Sequence, residues 1–258
     1  MSAITNSPVR APVLALALAA AAAAFVVGPA SAAEPTKGKS VGEAGYQWNS
    51  GQSSTGEEEE ALKLTPNIKN GRDVFEVCSA CHQPEGWGLP DGTFPQLAGQ
   101  HYKVIIKQLS DIRAGNRDNP TMYPFALPSQ SGGTQALADV AGYIQTLKMD
   151  PNNGKGDGKD LELGKKLFAD NCAKCHGDTG QGNNDKFFPR LEAQHYNYLL
   201  RQFQLIKAGK RRNANPDMVK QIHDFTDRET HAVLDYVSRL KPPADKVAPV
   251  GWKNPDFQ

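Results

Sequence analysis

An all-α fold built from two related domains is predicted by three features of the chain. Every segment with a regular apolar pattern repeats at helical spacing, and no run alternates apolar with polar residues as a half-buried strand would. The patterned segments occur twice, the second set 94 residues after the first, measured from Cys78 to Cys172. Glycine stands just past the last patterned residue of the middle segment in both sets, at Gly115 and Gly209, where a helix stops.

The chain opens with a polar, singly basic stretch and an apolar run, Val13 to Val27, followed by "GPASAAEP". This is the form of a secretory signal, with cleavage expected after Ala32, so residues 1–32 are a signal peptide and the mature chain is exported to the periplasm. No later stretch is apolar for long enough to cross a bilayer, so no transmembrane segment is expected in the mature chain. Loss of Arg10 brings the formal charge from +1 to zero, which gives no argument for binding nucleic acid. Residues 33–65 are polar, rich in Gly and Ser, and carry Glu57 to Glu60; the expectation is a flexible acidic segment.

The first domain is expected over 66–149. Its first helix, "GRDVFEVCSACH" (Gly71 to His82), puts Val74, Phe75 and Cys78 on one apolar side. Its second is "YKVIIKQLSDIRAG" from Tyr102, and its third is "TQALADVAGYIQTLK", with Thr134 as the expected N-cap. Residues 150–160, rich in Pro, Gly, Asn and Asp, read as a linker. The second domain, 161–241, repeats the plan: "GKKLFADNCAKCH" (Gly164 to His176), "YNYLLRQFQLIKAG" from Tyr196, and a last helix capped by Thr226. The copies also share "FPQLAGQHY" (Phe94 to Tyr102) and "FPRLEAQHY" (Phe188 to Tyr196), and "NPTM" and "NPDM" ending at Met122 and Met218. Two copies in such register mean duplicated domains rather than a solenoid. Residues 242–258 form a Pro-rich tail, expected to lie extended against a domain through Trp252.

All four cysteines fall in "VCSACH" and "NCAKCH". Zinc would require both pairs at one centre, yet they lie in separate copies; a thioredoxin-like motif needs strands; a disulfide at this spacing closes almost no loop. Covalently bound haem uses every residue of the motif: each cysteine forms a thioether to a vinyl group, and the histidine after them reaches the iron. Two haem c groups are therefore expected, on Cys78, Cys81 and His82 and on Cys172, Cys175 and His176. A sixth ligand should also recur, and Met122 and Met218 stand at matched positions; Met149 has no counterpart and is read as surface or packing. His101 and His195 are read as hydrogen-bonding residues at helix starts, and His223 and His231 as solvent-facing. The carbonyls of Pro95 and Pro189 are placed to accept the other ring N–H of His82 and His176.

These residues resemble the two-haem class I cytochromes c, and the cytochrome c4 family in particular. The resemblance covers about Asn67 to Leu240 and implies two tandem class I cytochrome c domains around a pseudo-twofold axis, with haems close enough to exchange electrons. It implies His82 with Met122 and His176 with Met218 as axial pairs. It matches Gly71, Phe75 and Tyr143, and Gly164, Phe168 and Tyr236, to the crossing of the first and last helices. The implied function is a periplasmic electron carrier between a donor and an acceptor such as a cytochrome complex, a dehydrogenase or a terminal oxidase, with no catalytic residues of its own. The alternatives are a haem subunit of a flavocytochrome-type dehydrogenase, and a dihaem enzyme acting on peroxide or thiosulfate. The acidic N-terminal stretch and the tail after Leu240 are additions to the family's pattern.

Overall fold

A computed structural model describes residues 56–257, which all lie within one compact unit; the expected signal peptide and residues 33–55 fall outside the described residues. The described chain forms eleven α-helices and two short 3-10 turns, and among these residues there is no named strand, only two isolated bridges.

The acidic stretch differs from the flexible segment expected. Helix α1, Glu57–Lys63, packs Ala61 and Glu58 into full burial. Four glutamates in its first turn complement the positive end of the helix dipole, and Glu57 pairs with Arg113. The Tyr102 hydroxyl meets the carbonyls of Ala61 (3.3 Å) and Leu64 (3.2 Å), so the end of the helix is satisfied from the core side. Charge along the sequence suggests solvation, but Ala61 and Leu62 directly after the acids give the helix a buried edge.

In the first domain, α2 (Ile68–His82) begins three residues earlier than Gly71, where the Asn67 side chain accepts the Asn70 N–H at 3.2 Å. Helix α3 is Tyr102–Arg113, two single turns follow as α4 (Tyr123–Ala126) and α5 (Pro128–Ser131), and α6 is Thr134–Thr146. Thr134 is not the N-cap: Gly132 (φ 80°) turns the chain so that Gly133 takes that place, and Thr134 becomes the first helical residue. Helices α2 and α6 cross where Gly71 lies against the Asp139 carbonyl, and a Cβ there would also stand 2.9 Å from Tyr143 Cβ. The Phe75 and Tyr143 rings lie 5.4 Å apart, tilted by 51°.

The second domain repeats this crossing. Helix α7 (Leu161–Asn171) meets α11 (Asp227–Ser238) at Gly164, and the Phe168 and Tyr236 rings lie 5.7 Å apart at the same 51°. The matched Gly, Phe and Tyr of both copies thus hold one crossing geometry. Thr226 caps α11 as expected, in a reciprocal capping box with Glu229. One difference comes from chain length. Gly71 to Cys78 is seven residues and Gly164 to Cys172 is eight. The extra residue breaks the helix at Cys172, and the motif sits on a separate turn, α8 (Ala173–His176). Helices α9 (Tyr196–Lys207) and α10 (Pro216–Ile222) complete the domain.

The two domains meet through a polar joint with a pseudo-twofold pattern. The Gln100 amide donates to the Arg190 carbonyl (3.0 Å) and accepts from the Arg190 N–H (2.9 Å). Gln194, its counterpart, does the same with the backbone of Gln96, at 2.9 and 3.0 Å. Beside them, Arg117 and Arg211 each reach both Gln108 and Gln202, at 2.8 to 3.3 Å. Burial, reinforced by the like charge of Arg117, pushes the Arg211 guanidinium down to about 10.

The linker and tail are part of this joint. Asn153 is buried and donates to the carbonyls of Gln194 and Ser238, both at 2.8 Å. Met149, 2 % exposed, is packing; it pairs in a short parallel bridge with Val247 of the tail. Beyond Leu240 the tail returns to the first domain and lays Trp252 against Trp87, ring centroids 5.8 Å apart. It is not wholly extended: 3-10 turns at Ala244–Lys246 and Pro255–Phe257 shape it to that surface.

Candidate haem sites and family

The local sequence places the CxxCH histidine at the C-terminal end of a helix, so the next residues must turn back over it. Gln83 (φ 66°) and Gly177 (φ 78°) take the left-handed turn in the two copies. The returning loop brings a proline carbonyl to the ring. His82 Nδ1 donates to Pro95 O and His176 Nδ1 donates to Pro189 O, both at 3.0 Å. With the proton on Nδ1, the lone pair on Nε2 is free. His82 is 3 % and His176 8 % exposed, and burial pushes both imidazoles below their ordinary range, toward the neutral form an iron ligand needs. Phe94 and Phe188 flank the two rings at 6.0 and 6.3 Å.

In the first domain all four predicted site residues line one cavity. Cys78, Cys81, His82 and Met122 share its wall with Val74, Phe94, Leu109 and Val140. Arg113 closes one side; besides Glu57 it donates to the carbonyls of Ala126 and Gly132, and so ties the methionine loop to α3. In the second domain Cys172 and Met218 pack against a single apolar cluster that includes Leu199, Phe203, Ile222 and Val233. His176 is buried, whereas Cys175 is exposed. No disulfide joins any of the four cysteines, and burial pushes the Cys78 and Cys172 thiols up to about 12.

The two cysteine pairs do not converge. Among the described residues no three His, Cys, Asp or Glu side chains gather as a metal-holding cluster, so the zinc alternative has no centre to occupy. The donor set does suit haem c: two thiols beside a neutral histidine with a free Nε2, a thioether in the same cavity, and apolar walls for a porphyrin.

A cytochrome c family model matches residues 68–148 and again 161–241. Cytochrome c4 of Azotobacter vinelandii is 31% identical, over 66% of this chain and 87% of that protein. The chain belongs to the cytochrome c4 family. Among solved structures, reduced recombinant cytochrome c4 from Pseudomonas stutzeri is similar with a TM-score of 0.61 and 29% identity, covering 68% of this chain and all of that one. A relative named as a thiosulfate dehydrogenase electron acceptor, from Stutzerimonas stutzeri, is 29% identical over 64% of this chain and 79% of its own length. Membership of the family makes the chain a two-haem electron-transfer cytochrome with one covalently attached haem c in each of its tandem helical domains.

Two histidines differ from their expected role. His101 and His195 stand at helix N-caps, but neither side chain caps its own helix. His101 Nε2 donates to Gln181 O and His195 Nε2 donates to Trp87 O, both at 2.7 Å and both across the joint; Trp87 and Gln181 are themselves matched positions. His195 is fully buried and also accepts the Gly154 N–H at 3.0 Å. The joint residues Gln100, His101, Gln194 and His195 are thus what a one-domain reading of the helix starts missed. The signal was present in the repeated Gln-His-Tyr, since identical side chains on both halves are what a twofold joint requires. His223 and His231 are exposed, as expected.

Proposed function

We propose that this chain is a periplasmic carrier which takes electrons from one redox protein and delivers them to another, and which makes and breaks no substrate bonds. In this reading Cys78, Cys81, Cys172 and Cys175 hold the haems, and His82 with Met122 and His176 with Met218 are the axial pairs. The observation that carries it is the shared cavity of Cys78, Cys81, His82 and Met122: a histidine nitrogen and a methionine sulfur committed to one iron leave no coordination position for a substrate. When bound, haem c supplies a one-electron iron couple, and the methionine thioether raises its potential. The chain's own part is to bury the site, to fix each histidine through Pro95 or Pro189, and to keep water from the ring.

The partners are redox proteins, a cytochrome complex, dehydrogenase or terminal oxidase. The thiosulfate dehydrogenase electron acceptor among the relatives supports a dehydrogenase as donor, and it also favours a second reading, a haem subunit held in a dehydrogenase complex. No helix among the described residues is long and apolar enough to cross a membrane.

The ligand assignment is tested by the thioether-to-iron charge-transfer band of the oxidised protein. Met122→His and Met218→His should each remove about half of it and lower one reduction potential; a wild-type protein without the band has no methionine ligand. Carrier and enzyme separate on adding thiosulfate or peroxide to the isolated holoprotein. A carrier shows no sustained turnover with either, and steady consumption would overturn the carrier reading.

A further inference from the structure

The C-terminal tail ends on the first domain, behind the histidine of that domain's CxxCH. Asn254 is 3 % exposed, and its side-chain amide donates to Pro84 O at 2.6 Å and to the Tyr143 hydroxyl at 2.9 Å. The same hydroxyl donates to the Asp256 carboxylate at 2.9 Å, and Arg72 donates to the Asp256 carbonyl. Phe257 meets Phe75 edge-on with centroids 6.0 Å apart, so the tail seals the crossing of α2 and α6 from outside.

Pro84 lies two residues beyond His82, in a loop that behaves as one hydrogen-bonded body. Gly88 N–H donates to the His82 carbonyl, and Leu97 and Ala98 both donate to the Gly86 carbonyl. That loop carries Pro95, whose carbonyl fixes His82 Nδ1. A pull on Pro84 therefore reaches the imidazole from both ends of the loop. Among the described residues the second domain has no such anchor: the residue equivalent to Pro84 is Asp178, which is exposed.

We propose that Asn254 is a positioning residue for the first haem site, and that the tail makes the two sites of this duplicated chain unequal by holding the loop around His82 dry and still in one domain only. Water admitted behind His82 would favour the oxidised, more highly charged state, so release of the anchor lowers the first site's potential and leaves the second unchanged. The inference rests on His82 and Met122 as an axial pair.

The test is a potentiometric titration of the full-length holoprotein, resolved into two one-electron waves. Met122→His identifies the wave of the first domain. Asn254→Ala should move that same wave down, shifting its reduced-to-oxidised ratio about tenfold, ~59 mV for one electron, while the wave displaced by Met218→His stays in place. Asn254→Leu, which fills the same space without a donor, carries the test if the alanine variant fails to load haem, and Asn254→Gln, which keeps the donor, should recover most of the wild-type potential. Neither wave moving, the other wave moving, or a lower unfolding midpoint with both potentials intact would each overturn the proposal. A Met122→His that moves neither wave removes the ligand assignment itself, and the proposal with it.

Discussion

At the residue scale, burial decides which protonation state a side chain adopts. His82 and His176 are held neutral with the proton on Nδ1, because burial disfavours the imidazolium and a proline carbonyl claims that hydrogen. Glu58 obeys the same rule with the opposite sign. It is fully buried, and burial pushes its carboxyl up to about 7, against the favourable charge of Lys107 and with the repulsion of Asp111. A carboxyl raised in the folded state binds its proton more tightly there than in the unfolded chain. Its contribution is therefore complete below its ordinary value of 4.5 and is lost as pH rises through about 7. Glu58→Gln should raise the denaturant midpoint at pH 8 and leave it nearly unchanged at pH 4, in unfolding curves of the holoprotein; equal effects at both pH values would show that Glu58 does not titrate in this range. The cysteines and histidines proposed for the sites stand out in the sequence because haem attachment demands a fixed spacing, and the proposed methionines because they recur at matched positions. Glu58 was not, since a fourfold acidic run gives no sign of which member turns inward.

At the scale of elements, the crossings of α2 with α6 and of α7 with α11 depend on a glycine at the point of closest approach. Backbone meets backbone there, and a methyl group has no space to enter. Gly71→Ala or Gly164→Ala should each destabilise its own domain by about 3 kcal/mol, the upper range for an overpacked core, read as an earlier loss of that domain's haem-linked absorbance in denaturant. The three helices of each domain were legible from apolar period and stop signals. Their starts were less so. Asn67 extends α2 by three residues through a side-chain cap, and a Gly-Gly turn displaces Thr134 from the N-cap. The break at Cys172 follows from a single extra residue, visible only when glycine-to-cysteine distances in the two copies are compared. In both copies the motif still ends on a buried histidine tied to a proline at 3.0 Å. The histidine's surroundings, more than an unbroken helix, position the site.

For the molecule as a whole, the decisive feature is that the halves are joined by polar groups rather than by an apolar face. Gln100 and Gln194 supply four hydrogen bonds to the opposite domain, His101 and His195 add two more, and the linker and tail cross the same boundary. The two domains should therefore unfold together. In Gln100→Ala with Gln194→Ala, removal of bonds contributing about 1 kcal/mol each should split the single calorimetric transition into two; a double variant that still melts in one step would assign the coupling to the tail and linker instead. Duplication was plain in the sequence, and the joint was not, because a glutamine before a helix looks the same whether it faces water or its own counterpart. The way these glutamines bind carries a consequence for descent. Each grips the peptide group of residue 190 or 96, so the grip itself does not depend on the side chain there; the two side chains differ, and each adds a bond of its own across the seam, Gln96 to the Ala193 carbonyl at 2.6 Å and Arg190 to the Gly99 carbonyl at 3.2 Å. Copies fused in this manner can diverge even in the side chains that line the seam while inheriting the backbone grip that keeps them a pair.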